Sequence, residues 1–246
     1  MKTFRADLHV HTVLSPCAAI EMIPPLIVQE ALSFGLNLIA ITDHNATANI
    51  QSVQKAAAGS GLTVIPGMEV QTREEVHSLC LFATLDQAYA WQKIIDANLP
   101  NIENNPDFFG EQFVVDETGD FIRREDRLLL NSVNISFDEA AKKVTELGGL
   151  FIPAHVNRKA FGLIENLGLV PQSANIIALE ISRHLKPSEA YTAYPQIKGY
   201  PIIQDGDVHF INEFLGSCQY TLESPTLDEI THAILHENGR SLIILE

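Results

Sequence analysis

Short apolar runs that end in histidine or acidic side chains are the feature that most constrains the fold of this chain. His9 and His11 close the run FRADLHVH, His44 closes LIAITDH and His155 closes GLFIPAH. Neutral imidazoles and carboxylates are ligands for Zn, Mn and Fe. Barrels of alternating strands and helices build their sites from strand ends at one rim. The pattern therefore predicts such a barrel, with several metal ions that activate water.

The apolar runs predict seven strands with helical stretches between them. Strands are expected at 4–11, 36–43, 62–69, 77–83, 149–155, 177–182 and 200–206. Helices are expected at 24–35, 49–59, 85–99 and 136–149. Ser136 and Glu139 form a capping box, and Gly148 and Gly149 supply the stop. Because the strand runs are mostly unbroken, we expect parallel strands buried on both faces, in a single domain over residues 1–246.

One segment interrupts the alternation of strands and helices. Residues 101–134 include QFVVDETGDFIRR, which is typical of a β-hairpin that turns at 117–119. We expect an inserted loop or hairpin here. It could act as a lid or a filter of substrate size, or be an extra surface hairpin.

Composition narrows the class of protein and of partner. The formal net charge is −15, so a generic basic surface for long nucleic acid is not expected. No run reaches the roughly 20 apolar residues of a bilayer span, so no membrane association is expected. The N-terminus MKTFRADLHVHT has no signal-peptide pattern, which makes the cytoplasm the expected compartment. Three scattered cysteines do not suggest a disulfide framework.

Two pairs of candidate ligands are spaced by two residues. On an extended strand, side chains at i and i+2 point to the same side, so His9 and His11 could share one metal. Asp207 and His209, in QDGDVH, repeat this spacing. Asp7 has the same parity as His9 and is expected to orient a ligand or to hold the strand end. For His9 and His11, the alternative is a pair of surface histidines on an edge strand.

Other candidates stand beside the apolar runs. An aspartate after LIAIT is costly unless it is paired, so we expect Asp43 to accept a proton from a ligand imidazole and His44 to bind metal. Glu69, after Pro66 and Gly67, is expected to bridge two cations, the alternative being an exposed glutamate. His77 begins a predicted strand instead of ending one, and so fits this geometry least well.

In this order, the motifs resemble the PHP (polymerase and histidinol phosphatase) superfamily. The matching segments are DLHVHT (7–12), TDH (42–44), PAH (153–155) and GDVH (206–209). The resemblance implies a distorted (β/α)7 TIM-like barrel with two or three divalent ions (Zn, Mn or Fe) and hydrolysis of phosphoesters. It implies that one part of the cluster is held by His9, His11, Glu69 and Asp207. The remaining ligands would be His44, His77, His155 and His209.

One position departs from the family pattern. Many relatives carry an Asp or His a few residues after the first histidine pair, where this chain reads SPCAAIEM. Either Cys17 or Glu21 could ligate there, or the position could be empty. A thiolate would favour zinc, whereas oxygen ligation also suits Mn or Fe. We expect Glu21, because of its longer reach, and the third metal depends on this position.

These inferences lead to a functional hypothesis. The expected reaction is hydrolysis of a phosphate monoester or diester, with hydroxide on the metal ions as the nucleophile and no separate catalytic residue. The substrate is expected to be a small phosphorylated metabolite or a nucleotide, with a short oligonucleotide also allowed. Arg158 and Arg183 are candidate phosphate contacts, or else surface arginines.

Two other functions remain open, as does the role of some histidines. An amidohydrolase-like C–N hydrolase would commonly add a strand-end lysine, which this sequence lacks. A non-catalytic module that binds metal or senses a nucleotide would be marked by missing ligands. His184 is a surface histidine or a substrate contact. His232 and His236 have helical spacing but lack the intervening glutamate of zinc proteases, and are expected at the surface.

Overall fold

A computed structural model describes residues 1–246 and contains eleven strands and eight α-helices. The strands are β1 (Lys2–Val10), β2 (Leu38–Ile41), β3 (Thr63–Gln71), β4 (His77–Leu81), β5 (Phe113–Val115), β6 (Phe121–Arg124), β7 (Leu150–Pro153), β8 (Leu179–Glu180), β9 (Ile202–Ile203), β10 (Cys218–Leu222) and β11 (Ser241–Ile244). The helices are α1 (Pro24–Ser33), α2 (Ile50–Ala56), α3 (Leu85–Asp96), α4 (Pro106–Phe109), α5 (Phe137–Glu146), α6 (Leu163–Leu167), α7 (Pro187–Ala193) and α8 (Leu227–Ile234).

The seven strands predicted from the apolar runs form a ring. Strands β1, β2, β3, β4 and β7 are paired in that order, and β8 pairs with β9. The Val156 N–H donates to the Glu180 carbonyl at 2.8 Å, which joins the end of β7 to β8. A parallel bridge between Val10 and Val208 joins the chain after β9 to β1. The prediction of a distorted seven-stranded α/β barrel is confirmed, with β8 and β9 reduced to two residues each.

The expectation of parallel strands is wrong for β4. Strands β1, β2 and β3 are parallel, but β4 is antiparallel to both β3 and β7. Only residues 72–76 connect β3 to β4, and a parallel connection needs a dozen residues or more. The first residue of β4, His77, therefore pairs with the last residue of β3, Gln71. This reversal places His77 at the same rim as the ends of the parallel strands.

Two strands that the apolar pattern did not predict lie outside the ring. Strand β10 pairs antiparallel with the first half of β1, and β11 pairs with β10. A buried cluster of 20 apolar residues connects these strands and α8 to the barrel strands. A larger cluster of 43 residues packs α1, α2, α3 and α5 against the barrel. We refer to β10, β11 and α8 as the outer unit.

The helices begin and end near the predicted positions. The capping box of α5 is present, since Glu139 N–H donates to Ser136 Oγ at 3.3 Å and Ser136 N–H donates to Glu139 Oε2 at 2.9 Å. Gly148 follows this helix with φ of 75°, a conformation that favours glycine. No α-helix combines the length and apolar character that crossing a bilayer requires.

The segment 101–134 contains the predicted hairpin, formed by β5 and β6 with Gly119 in its turn at φ of 89°. The hairpin packs on the loop after β1, because Phe113 N–H donates to the Val13 carbonyl at 3.1 Å. It also packs on α2, where Ser52 Oγ donates to the Val115 carbonyl at 2.7 Å. Farther along, Leu130 reaches the wall of a cavity at the barrel rim. The role of this segment as a lid stays a prediction.

Candidate metal centre

Imidazole and carboxylate side chains from the strand ends lie together at one rim of the barrel. His9 and His11 lie at the end of β1, Glu69 lies in β3 and His77 begins β4. The loops after β2, β7 and β9 supply the rest. The structure brings together eight of the predicted ligands, namely His9, His11, His44, Glu69, His77, His155, Asp207 and His209.

Glu69 lies at the centre of this cluster. Its side chain is buried, and Gly67 in the same strand lets β2 approach closely, since a Cβ there would lie 3.0 Å from the Ile41 carbonyl oxygen. The Glu69 oxygens lie 2.9–3.5 Å from five imidazole nitrogens, those of His9, His11, His44, His77 and His155. A carboxylate placed between two sets of imidazoles has the position of a bridging ligand.

The donor atoms fall into three overlapping groups. The three sets are His9–His11–Glu69–Asp207, His44–Glu69–His77 and His11–His44–His209, with the donor atoms of each set within 4.8 Å of one another. Glu69, His11 and His44 each belong to two groups, so neighbouring sites share ligands. Nitrogen and oxygen donors of this kind suit Zn, Mn or Fe.

Several buried atoms of the cluster form no well-oriented hydrogen bond, although two of them, His44 Nδ1 and Glu69 Oε2, lie 2.9 Å apart. They are His44 Nδ1, Glu69 Oε2, His155 Nδ1 and Asp207 Oδ1. Leaving buried polar atoms unpaired costs about 1–3 kcal/mol each. Divalent cations would satisfy the lone pairs that converge at the rim. By donor chemistry and by these unpaired atoms, the residues fit a metal centre.

Electrostatics keep part of the cluster in the state that metal binding needs. Burial by itself raises the pKa of the Glu69 carboxyl, but His77 and His9 hold it well below its usual range. Burial lowers the pKa of the His77 imidazole to about 4, and the pKa of His11 is also lowered by burial and by His209. Glu69 is therefore ionised, and His11 and His77 are neutral at pH 7, with lone pairs free to ligate.

Glu180 is a residue of this centre that the sequence interpretation missed. It is 1% exposed, and its Oε1 lies 3.0 Å from His9 Nδ1. Its Oε2 accepts a hydrogen bond from the His155 backbone N–H at 2.7 Å. The contact fixes the His9 ring with Nε2 toward the cluster, and ligand histidines commonly rely on such a partner. A carboxylate inside the apolar run IIALEIS was the signal that could have revealed it.

Asp43 acts on the cluster through a hydroxyl group. Its Oδ1 accepts hydrogen bonds from the Thr12 N–H and the Ser15 hydroxyl, both at 2.7 Å. Ser15 Oγ in turn lies 2.9 Å from His11 Nδ1. The predicted direct contact between Asp43 and a ligand imidazole is replaced by this relay through Ser15.

Asp7 holds the end of the barrel below the cluster. Its oxygens accept hydrogen bonds from the N–H groups of Gly206 and Leu215, both at 2.9 Å. Asp205 Oδ1 accepts from the Leu8 N–H at 2.7 Å. Burial raises the pKa of Asp7 to about 6. Of its two expected roles, Asp7 takes that of fixing a strand end to the loop that carries Asp207.

Cys17 and Glu21 are placed differently. Cys17 lines both cavities at the rim, as His209 does. Burial raises the thiol pKa, but His44 and His209 outweigh this effect and lower it to about 6. Both Cys17 and Glu21 are exposed, and neither belongs to one of the three donor groups. Cys17 lines both rim cavities and Glu21 lines neither, which favours Cys17 over the expected Glu21 as the residue nearer the cluster.

Two arginines lie beside the cluster. Arg158 Nη1 donates to Asp207 Oδ2 at 2.6 Å, and Arg158 lines both cavities. Arg183 Nη1 donates to the carbonyls of Gly206 (3.1 Å) and Glu213 (2.8 Å) and so braces the loop after β9. Arg183 also lines the larger cavity. Of the two, Arg158 lies nearer the donor atoms.

The remaining histidines lie away from the donor groups. His184 lines the larger cavity, whereas His232 on α8 lies 2.8 Å from Glu237 at the surface. Two cluster residues have strained backbones, His155 with φ of 30° and Asp207 with φ of 49°. Such conformations persist where surrounding structure enforces them, often at functional sites.

A short stretch of this sequence is similar to two known exoribonucleases. The chain is 36% identical over 75 residues to the 5′-3′ exoribonuclease Rnm of Salmonella typhimurium, and equally to that of Escherichia coli. The match covers 30% of this chain and 25% of the exoribonuclease.

Solved structures extend the comparison to the fold. The lesion-specific endonuclease PfuEndoQ from Pyrococcus furiosus superposes with a TM-score of 0.78 at 23% identity, over 98% of this chain and 58% of that protein. Endonuclease Q in complex with a 27-mer duplex, which has an abasic lesion at the active site, superposes with a TM-score of 0.74 at 21% identity. At these identities the likeness concerns the fold alone, and the chain spans little more than half of each endonuclease.

The family itself is shown by a match to its sequence model. The model of the PHP domain matches residues 7–156, more than half of the chain. The matched range runs from Asp7 through the first histidine pair, Glu69 and His77 to the residue after His155. The resemblance inferred from the motifs is thereby confirmed, and this chain belongs to the PHP domain family.

Proposed function

We propose that this protein is a metal-dependent phosphoesterase that hydrolyses a small phosphorylated substrate. The observation that carries the proposal is the position of Glu69, buried within 2.9–3.5 Å of five imidazole nitrogens, with one oxygen unpaired. Bound divalent cations supply Lewis acidity, which acidifies water and offsets charge that develops on phosphoryl oxygens.

The ligand set proposed here is that of the three donor groups together with His155. Glu69 bridges two of the groups and Asp207 completes the first. Cys17 is proposed to complete the third group in place of Glu21. Glu180 and Ser15 hold the rings of His9 and His11, so that these imidazoles keep one orientation.

Arg158 is proposed to bind the substrate phosphate. Its guanidinium faces both cavities and is held at the cluster by Asp207. A planar guanidinium can contact two phosphate oxygens at once, which adds direction to the attraction. Arg183 is proposed to support this contact indirectly, because its braced loop carries Asp207.

The nature of the relatives supports a nucleotide or short oligonucleotide as substrate. The exoribonuclease is named for RNA and the endonuclease structure contains DNA. The net charge of −15 disfavours a long polyanion. No lysine lines either rim cavity, which removes the feature expected of an amidohydrolase-like centre.

Metal content and turnover together test this proposal. Purified protein should contain two or more equivalents of metal and cleave p-nitrophenyl phosphate or its bis-ester, with loss of cleavage after chelation and recovery on metal addition. Glu69→Gln should lower metal affinity and turnover by more than about 100-fold, because a bridging ligand is lost. Glu75→Gln, an exposed glutamate in the adjacent turn, is the matched control and should change neither. Less than one equivalent after reconstitution would refute the proposal.

A further inference from the structure

Two cavities meet at the donor cluster, one lined by residues of β8 and of the loops after β8 and β9, and the other by residues of β3, β4 and the loop after β2. Their volumes are about 430 Å³ and about 240 Å³. The residues that line both are Cys17, His155, Arg158, Asp207 and His209. A phosphate bound at this shared strip, beside Arg158, would therefore have open space on two sides. A monoester needs space on one side of its phosphate, whereas a diester needs both.

Each cavity has one partly exposed aromatic ring in its wall. Phe210 lines the larger cavity and is 50% exposed, and Phe161 lines the smaller one and is 36% exposed. Partly exposed phenylalanines beside a polar cluster forgo burial that the core would provide. Aromatic side chains in such positions offer flat surfaces on which nucleobases stack, with little preference among bases.

Both rings are held in place by local structure. Phe161 has φ of 60°, its carbonyl accepts the His77 N–H at 3.0 Å, and its ring stacks on the His77 ring with centroids 4.4 Å apart. Such a backbone conformation is costly for phenylalanine and persists only where neighbouring structure enforces it. Phe210 begins a tight turn in which its N–H donates to Glu213 Oε2 at 3.1 Å. Local structure thus fixes the Phe161 ring against His77 and the Phe210 backbone at the start of its turn.

We propose that the substrate is a phosphodiester between two nucleosides, with one base stacked on Phe161 and the other on Phe210. This inference rests on the proposed function, since it assigns the substrate class of the same site. Hydrolysis adds the oxygen of water to phosphorus and breaks the bond from phosphorus to one nucleoside oxygen. One proton of water ends on that leaving oxygen, so the products are a nucleotide and a nucleoside.

The charge of the protein limits the length of this substrate. The chain has 31 acidic and 16 basic side chains, so each added phosphate meets a repulsive field. A dinucleotide has one internal phosphate to place against Arg158 and uses both aromatic surfaces. The geometry therefore points to a dinucleotide or the last two nucleotides of a short strand.

Substrates that lack one base, assayed with matched variants, test the assignment. The metal-loaded protein would be assayed on thymidylyl-thymidine, on the two dimers with tetrahydrofuran in place of one nucleoside, and on the doubly abasic dimer. Phe161→Ala and Phe210→Ala should each raise KM for thymidylyl-thymidine by roughly 5- to 150-fold. Each variant should be indistinguishable from wild type on one of the single-base dimers and on the doubly abasic dimer.

Two controls separate stacking from damage to the centre. Phe121→Ala removes an exposed ring of the β5–β6 hairpin, away from both cavities, and should change nothing. Metal content of Phe161→Ala should equal that of wild type, even though this ring packs on His77. Calorimetric binding of the thymidine dimer methylphosphonate, which resists hydrolysis, should weaken in both variants.

The outcomes distinguish this inference from the proposed function. If wild type cleaves the bis-p-nitrophenyl ester but both variants treat all dimers as wild type does, the base assignment is overturned and the phosphoesterase stands. If the loaded protein cleaves no ester, the proposed function fails. In that case the methylphosphonate titration still decides whether the two rings bind bases.

Discussion

Histidine and glutamate side chains have different surroundings at the barrel rim and in the outer unit. At the rim, the six histidines of the cluster lie together with Glu69 and Asp207, mostly buried, and several donor atoms have no hydrogen bond. In the outer unit, the partly exposed His232 lies 2.8 Å from Glu237, and Glu229 forms a half-buried ion pair with Arg240 at 2.8 Å. In the outer unit one buried side-chain atom, the Tyr220 hydroxyl oxygen, has no hydrogen bond, whereas four donor atoms of the rim cluster have none. An arrangement that costs stability without a ligand indicates a site selected for binding.

Metal removal should produce the largest difference between the two regions. At a free metal concentration about 100 times Kd, one bound ion stabilises the fold by about 2.7 kcal/mol. For a chain of this size this corresponds to a rise in Tm of roughly 5–10 °C. Thermal melts with and without chelator measure this effect. His232→Ala should retain the full metal-dependent shift, and a Tm insensitive to metal in wild type would contradict the comparison.

Glu180→Ala should weaken the rim without removing any ligand. The His9 ring and the His155 backbone each lose a buried hydrogen-bond acceptor, so metal affinity should fall about 10- to 100-fold. Competition with a chelating dye measures this affinity. Glu180→Gln keeps an acceptor oxygen and should recover part of the loss. Glu229→Ala is the control from the outer unit, and equal affinities in the Glu180 and Glu229 variants would argue against the positioning role.

Substitutions of Cys17 and Glu21 test which residue completes the third donor group, that of His11, His44 and His209. Cys17→Ser should lower affinity for the most weakly held ion by about 10-fold, because thiolate prefers zinc and a hydroxyl is a poor ligand. Cobalt substitution offers a direct view, since a thiolate ligand adds a strong near-ultraviolet band that the serine variant should lack. Glu21→Gln should match wild type in both measurements. A band that persists in Cys17→Ser would exclude the thiol as a ligand.

The smallest effect is expected for a substitution in α5, which lies outside both the rim and the outer unit. Ser136→Ala removes the N-cap of α5 and should cost about 1 kcal/mol, or roughly 2–4 °C in Tm. Metal content and turnover should stay at the wild-type level, because α5 packs on the outside of the barrel. Denaturant unfolding and metal analysis of the same preparation measure both quantities. Loss of metal in this variant would show that the rim depends on distant helix stability.

Local patterns in the sequence were enough to predict the seven barrel strands and eight candidate ligand residues that the structure brings to one rim. Their spacing of two residues, as in His9 and His11, is a property of any extended strand. The capping box at Ser136 and the hairpin at 113–124 were equally local and are present. Strands β10 and β11 were not predicted from the sequence. They lie at one edge of the seven-stranded sheet, and their apolar patterns are short and weaker than those of the barrel strands.

By itself, then, the sequence determined the family, the order of strands and the residue types that could meet a metal. Only the tertiary structure decided which of them meet. The antiparallel course of β4 brought His77 to the rim, and the loop after β1 placed Cys17 but not Glu21 in the wall of both cavities. Glu180 reached His9 across 171 positions of sequence. These contacts depend on which segments become neighbours in the closed barrel. Contacts between segments distant in sequence arise when the whole chain packs. They produce no local periodicity in the sequence from which they could be predicted.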